Sequence, residues 1–224
     1  MILLLENNIM STSCRTILII AGANGAGKSS AYEAFKNTNS KYNKFTFINP
    51  DVLAKQAAQK LGYGSVNNLP INTQNVINIQ ASKLALKMRQ DSFNKGISFG
   101  IETTASSESI LKLIDKAHKL DYTVEIIYVL LDSPKLHIQR VKQRVSKGGH
   151  FVSEKDIERR YKRSRELLPR IMKKADCMII YNNSSRYKPI LKKENGKIEK
   201  IEYNEDNEAL VQSIIRAYNE TESK

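Results

Sequence analysis

The sequence predicts an α/β fold, with a parallel β-sheet flanked by helices, a helical basic lid and a small C-terminal β-hairpin. Three observations predict it. Apolar, β-branched runs alternate with helical stretches along the chain, the pattern of βαβ units. A glycine-rich segment, Gly22-Ala23-Asn24-Gly25-Ala26-Gly27-Lys28-Ser29, sits between such a run and a helix start. A concentrated basic stretch follows the most apolar run, with thirteen Lys and Arg against four Asp and Glu over residues 140–174.

Taken in order, Thr16-Ile17-Leu18-Ile19-Ile20-Ala21 is apolar at every second position on both faces, as a buried parallel strand requires. The glycine segment matches G-x-x-x-x-G-K-[ST] at every fixed position, and Ser29 to Lys36 reads as the helix that follows. Strand, loop and helix start together form an anion site: backbone N–H groups and the positive helix end face phosphate oxygens. In that pattern Lys28 reaches the β/γ-phosphates and the Ser29 hydroxyl holds Mg²⁺, with Ser30 beside them. A second strand is expected at 45–49 and a helix at 51–61. A long helix follows at 72–94, with Val76, Ile79, Leu84 and Met88 as its apolar face. A third strand at 97–103, a helix near 107–120 and a fourth strand at 124–131 come next. The basic stretch 134–174 reads as helical, and a strand is expected at 177–181. In the tail, Asn195-Gly196 between two short runs predicts a hairpin with a type I′ turn, the second strand reaching Tyr203. A helix at about 208–218 closes the chain. The expected organisation is a loose extension over 1–14 and one domain over 15–224.

Three acids follow strand ends, where ligands of parallel sheets bind. Asp51 reads two ways. It can take a proton from an acceptor hydroxyl, or it can complement the helix dipole behind an Asn49 cap and Pro50 at the first helical position. Glu102, followed by Thr103 and Thr104, can orient Mg²⁺ through water or bind acceptor hydroxyls; as a helix-entry acid it would do neither. Asp132 resembles a metal-orienting acid after an apolar strand, but Ser133-Pro134 points instead to a helix cap at Asp132 or Ser133. In the basic stretch Arg140 and Arg144 share a helix face, and Gly148-Gly149-His150 is followed by Arg159, Arg160 and Arg163. Arginine forks match phosphate oxygens, and two glycines suit a hinge for a segment closing over a nucleotide.

The chain has 224 residues and a formal net charge of +13. That charge raises nucleic acid as a partner, but aromatic residues for base stacking are thin in the basic stretch, where only Phe151 and Tyr161 occur. No tract is long enough to span a membrane. Met1 to Leu5 is apolar but lacks the basic flank of a signal peptide, and Met10 is an alternative start. Two cysteines, Cys14 and Cys177, suit a reducing cytoplasm rather than a disulfide framework.

The ordered set of the phosphate loop, Ile48-Asn49-Pro50-Asp51, Phe99-Gly100-Ile101-Glu102-Thr103-Thr104, Asp132-Ser133-Pro134, Arg144 to His150, Ile157 to Tyr161 and Tyr181-Asn182-Asn183-Ser184 resembles the zeta toxin family of P-loop kinases, especially its shorter members. The likeness covers about residues 15–215. The resemblance implies ATP and Mg²⁺ as cofactors and transfer of the γ-phosphate to the 3′-hydroxyl of UDP-N-acetylglucosamine. It implies Asp51 as the general base and Glu102 to Thr104 as the acceptor segment. Arg144 and Arg160 become the leading lid arginines, with Arg140 and Arg163 behind them, and Asn182 and Asn183 pass the adenine. Any antitoxin would be a separate chain. Two departures bear on the acceptor: Glu-Thr-Thr replaces Glu-Gly-Thr, and Ala81-Ser82-Lys83 replaces the Ala-Gly-Arg of many short members. A polynucleotide kinase and a regulatory NTPase without a phosphoryl acceptor are the alternative readings.

Overall fold

A computed structural model describes residues 15–200 and 205–222; the expected 1–14 extension and the end of the hairpin's second strand lie outside these. Seven strands form one sheet in the order β2-β3-β1-β4-β5-β6-β7. They are β1 (Arg15–Ala21), β2 (Thr46–Ile48), β3 (Phe99–Thr103), β4 (Tyr122–Leu130), β5 (Cys177–Asn182), β6 (Lys188–Glu194) and β7 (Lys197–Lys200). The first five are parallel, and β6 and β7 join them antiparallel. The sheet is therefore mixed: the hairpin extends it along β5 rather than standing apart. Its turn has positive φ at both Asn195 (51°) and Gly196 (76°), as a type I′ turn needs.

The alternation in β1 fixes what covers each face. Ile17, Ile19 and Ala21 point into the larger core, shared with α3 (Ile71–Asn94), α4 (Ser109–Lys119), α6 (Glu154–Lys174) and α7 (Glu205–Glu222). Leu18 and Ile20 point into a smaller core under α1 (Lys28–Thr38) and the 3₁₀ turn Ser40–Lys44. Both faces are dry, which is why the strand is uniformly apolar. The smaller core contains a buried acid, Glu125 of β4. It accepts from the Tyr42 hydroxyl at 2.5 Å and from Lys41 Nζ at 2.6 Å, so its charge is matched where it is buried.

Two expectations are corrected here. The long helix does not bury Val76, Ile79 and Leu84, which are about half exposed. Its buried face is Ile77, Ala81 and Ala85, with Met88 packed partly against the core. Ile77 and Ala81 lie against Ala54 and Ala58 of α2 (Pro50–Lys60), so small residues let the two helices approach closely. The basic stretch is two helices, α5 (Pro134–Ser146) and α6, separated by a turn over 147–153. Ser133 caps α5, its hydroxyl accepting from the Leu136 N–H, and Pro134 takes the first helical position. Among the described residues no helix is long and apolar enough to cross a membrane.

Tyr42→Phe removes one of two donors from a buried carboxylate. It should cost roughly 1–3 kcal/mol in urea unfolding, whereas a loss below about 0.5 kcal/mol would show that Lys41 alone satisfies Glu125.

Candidate active site

The carboxyl ends of β1, β2 and β3 lie side by side because the strands are parallel and in register, with Ile20 opposite Glu102 and Ile48 opposite Ile101. The first βα connection is the glycine loop. Gly22 leaves β1 so close to β4 that a Cβ there would lie 2.0 Å from the Val129 carbonyl oxygen. Only glycine lets the loop turn at that level. The loop ends at Gly27, and Lys28 begins α1. Lys28 is buried and folds back, its Nζ donating to the Ala23 carbonyl at 3.2 Å. Burial pulls its pKa below the ordinary lysine value. Glu102 and Asp51 push the other way, while Arg144 adds to the depression.

Glu102 joins the loop to its neighbours. One oxygen lies 3.6 Å from Lys28 Nζ; the other accepts from Ser29 Oγ at 2.8 Å and from Asn49 Nδ2 at 2.9 Å. It lies within β3, well before α4, so the helix-entry reading does not describe it. Asn49 serves twice. Its Oδ1 caps α2 by accepting from the Asp51 N–H at 2.9 Å, while its amide donates to Glu102. The cap geometry and the cleft position of Asp51 coexist: Pro50 opens α2, and the Asp51 side chain faces the same cavity as Lys28. The cavity is an open cleft of about 300 Å³. Thr103, Thr104, Asn78 and Ser82 form its far wall, and Arg144, His150 and Arg160 its lid side.

The arginines divide. Arg160 Nη1 donates to Asn24 Oδ1 at 3.0 Å. Arg144 Nη2 donates to the His150 carbonyl at 2.7 Å, and its buried Nε has no partner among the described residues. Arg140 lies elsewhere, donating to the carbonyls of Asn183 and Ser184 at 2.7 and 3.1 Å. Arg163 and Ser30 are exposed and do not line the cleft. The side chain of Asn182 is held inside the fold, its Nδ2 shared between Asp132 and Asn207 and its Oδ1 accepting from Ser184. Asn183 Nδ2 supports the loop at the Ala26 carbonyl, 2.8 Å away.

Sequence reasoning missed His137 and Tyr187. Tyr187 donates to the Gly27 carbonyl at 2.5 Å. His137 Nδ1 donates to the Asn24 carbonyl at 2.6 Å, fixing the loop from α5. Neither has a local signature, since each acts on residues more than a hundred positions away. Burial lowers the His137 pKa from 6.5 to about 4, against the opposing pull of its bond to Asn24; nearby Lys28 and Arg140 add to the depression. The Ser29 hydroxyl and the Glu102 carboxylate supply hard oxygen donors beside the phosphate loop. That set fits Mg²⁺, which takes few protein ligands and completes its shell with water and phosphate oxygens.

The Zeta toxin family pattern matches residues 5–194. The chain belongs to this family. An uncharacterized protein of Haemophilus influenzae is 30% identical over 95 residues, which are 42% of this chain and 68% of that protein. Among solved structures, AvrRxo1-ORF1:-ORF2 with ATP superposes with a TM-score of 0.70 at 14% identity, over 90% of this chain. The match spans 63% of that longer chain. A structure from the PezAT chromosomal toxin-antitoxin system of Streptococcus pneumoniae superposes with a TM-score of 0.59 at 15% identity, over 98% of this chain and 92% of that one. At these identities the likeness is one of fold, an α/β P-loop architecture.

His137 makes stability depend on pH in a defined window. Above 6.5 both folded and unfolded states hold it neutral. Between 6.5 and about 4 the unfolded chain takes a proton that the folded one refuses, so stability falls as pH falls. The loss from this group saturates near 3 kcal/mol, on the order of the full shift. His137→Asn keeps a donor for Asn24 and does not titrate. Its unfolding free energy should therefore decline less than wild type from pH 6.5 to 4, and parallel curves would reject the assignment.

Proposed function

We propose that this protein is an ATP-dependent kinase that transfers the γ-phosphate to a hydroxyl of a small acceptor. By family resemblance the leading acceptor is a nucleotide sugar such as UDP-N-acetylglucosamine. One juxtaposition carries the reading: Asp51, Lys28 and Glu102 face a single cleft at the strand ends, and Glu102 accepts from the Ser29 hydroxyl beside it. A plain nucleotide switch has no use for a carboxylate and a polar far wall on the acceptor side of its phosphate loop.

In this mechanism the loop N–H groups and Lys28 hold the β- and γ-phosphates. Asp51 accepts the proton of the acceptor hydroxyl as its oxygen attacks the γ-phosphorus. The bond to the β–γ bridging oxygen breaks, and ADP leaves. Arg144 and Arg160, on the lid side, neutralise charge on the transferring group. Ser29, with Glu102 beside it, would hold Mg²⁺, which when bound would supply further charge neutralisation. Asn24, Thr103 and Thr104 orient the reactants.

The nucleic-acid alternative is weakened by what the basic stretch does. Lys142 pairs with Glu154, Arg159 with Asp156, Arg170 with Glu108 and Lys174 with Asp115. A separate antitoxin chain is a proposed partner, supported by the family and by the toxin-antitoxin system to which the PezAT structure belongs. The reducing cytoplasm is the proposed setting.

Labelled ATP offered with a panel of nucleotide sugars, other small hydroxyl compounds and oligonucleotides tests the reading. One small-molecule acceptor should take the label. Label on oligonucleotides, with a steep salt dependence, would replace this reading with the nucleic-acid one; free phosphate alone would replace it with the NTPase one. Lys28→Ala should reduce transfer to background, and a fully active variant would refute the loop's role. Asp51→Asn should bind ATP normally but turn over about 10²-fold more slowly or worse. Unchanged turnover would leave Asp51 as a helix-start residue only.

A further inference from the structure

We infer that Ser65 and Asn67 are positioning residues that strap the α5–α6 turn across the cleft and so fix Arg144 over it before either substrate binds. The inference rests on the kinase reading for the role of Arg144, but the strap itself is independent of it. Ser65 Oγ donates to the Gly148 carbonyl at 2.8 Å, and Asn67 Nδ2 donates to the Gly149 carbonyl at 2.6 Å.

Each end of the strap is built. At the lid end, α5 closes in a Schellman motif. Gly148 has φ +80°, its N–H bonds the Val145 carbonyl at 2.9 Å, and the Gly149 N–H bonds the Arg144 carbonyl at 2.9 Å. The two glycines thus form the cap of α5. The Arg144 side chain runs directly beneath this cap: a Cβ on Gly149 would lie 2.4 Å from Arg144 Cγ. Its Nη2 is then tied to the His150 carbonyl, leaving Nε unpartnered among the described residues. Arg144 lines the cleft, so a guanidinium held at this turn can meet a phosphate oxygen there.

At the other end, Ser65 caps the 3₁₀ turn Val66–Asn68 by accepting from the Asn67 N–H at 3.3 Å. Gln74 of α3 clamps the same segment, donating to the carbonyls of Asn67 at 3.3 Å and Leu69 at 2.8 Å. Val66 and Leu69 are buried against α2 and α3. The segment is therefore rigid with the helices that carry Asp51, Asn78 and Ser82. The strap makes the acceptor wall and the lid arginine one mechanical unit. Arg144 is preorganised by contacts made outside the cleft, which is how positioning lowers a barrier without touching the reacting atoms.

The test compares the full chain with Ser65→Ala/Asn67→Ala and with the conservative Ser65→Thr, which retains the donor. Hydrogen exchange without nucleotide, ATP binding by calorimetry, and kcat and KM on the acceptor that the labelled-ATP panel identifies are measured. The double variant should exchange residues 147–152 about tenfold faster with the sheet unaffected. ATP affinity should stay within about threefold, and kcat should fall roughly tenfold; Ser65→Thr should behave as wild type. Unchanged exchange at 147–152 overturns the strap, and faster exchange with unchanged kcat overturns its positioning role. Protection lost throughout the sheet would also overturn it, by making the pair a general folding element. If wild type phosphorylates no acceptor, the kinase reading fails by itself and the exchange comparison still decides the strap.

Discussion

The site depends on one carboxylate. Glu102 receives hydrogen bonds from Ser29 and Asn49 and faces the ammonium of Lys28, so from β3 it ties together the groups that follow β1 and β2. The reason is electrostatic. A loop lysine buried against backbone carbonyls loses its hydration, and burial alone disfavours its charge. Glu102, with Asp51 behind it, opposes that effect and supports the charged form that phosphate binding needs. The arrangement is only as good as the sheet register. A slip of one residue between β1 and β3 would turn Glu102 to the opposite face, where the apolar side chains of the larger core pack under α3 and α4. Phe99 and Ile101, which alternate with Gly100 and Glu102 and pack into the larger core, resist that slip, so the same residues that build the core also place the charge.

What was legible in the sequence follows from the range of the physics. The loop, the strand before it and the helix after it are local, and each shows in a few consecutive residues. Glu102 was legible because it lies at the end of a short strand, followed by Thr103 and Thr104. The buried face of α3 was not, because hydrophobicity favours Val76, Ile79 and Leu84 while close packing against α2 favours the face of Ala81. Size, not apolarity, decided which side of that helix meets α2. The turn of the hairpin was readable from Asn195-Gly196, but its docking along β5 is a non-local pairing that no turn residue announces. His137, Tyr187 and the strap residues share that limitation, since each contacts chain far away in sequence.

The charge of the basic stretch illustrates the same limit. Composition shows a surplus of cations, but cations can be spent on neighbours. Several of those on α5 and α6 pair with acids of the same or adjoining helices, and such exposed pairs are worth little to stability. Arg160 instead turns inward to Asn24, while His137 holds the backbone carbonyl of the same loop residue. One asparagine thereby links the phosphate loop to both lid helices. The two arginines that face the cleft are set apart from the rest by backbone geometry: Arg144 by the cap of its own helix, and Arg160 by reaching the loop.

The walls of the cleft also constrain how an acceptor can be recognised. Its far side is lined by amides and hydroxyls, and no Phe, Tyr or Leu lines it among the described residues. On the kinase reading, selection by stacking or by apolar fit has no surface to act on there. Selection by hydrogen bonding does, and it discriminates strongly, because a bound molecule that lacks the matching hydroxyls leaves buried polar groups unpaired. The two departures from the family pattern fall on this wall: Thr103 adds a hydroxyl where the better-known toxins have glycine, and Ser82 does the same where many short members have glycine. Each hydroxyl already has one partner in the chain: Ser82 Oγ donates to the Asn78 carbonyl at 2.8 Å, and Thr103 Oγ1 accepts from the Ala105 N–H at 3.1 Å. The donor half keeps the family pattern in Lys28 and Ser29 while the acceptor wall does not, so any change in specificity must be sought on β3 and α3 and not in the phosphate loop.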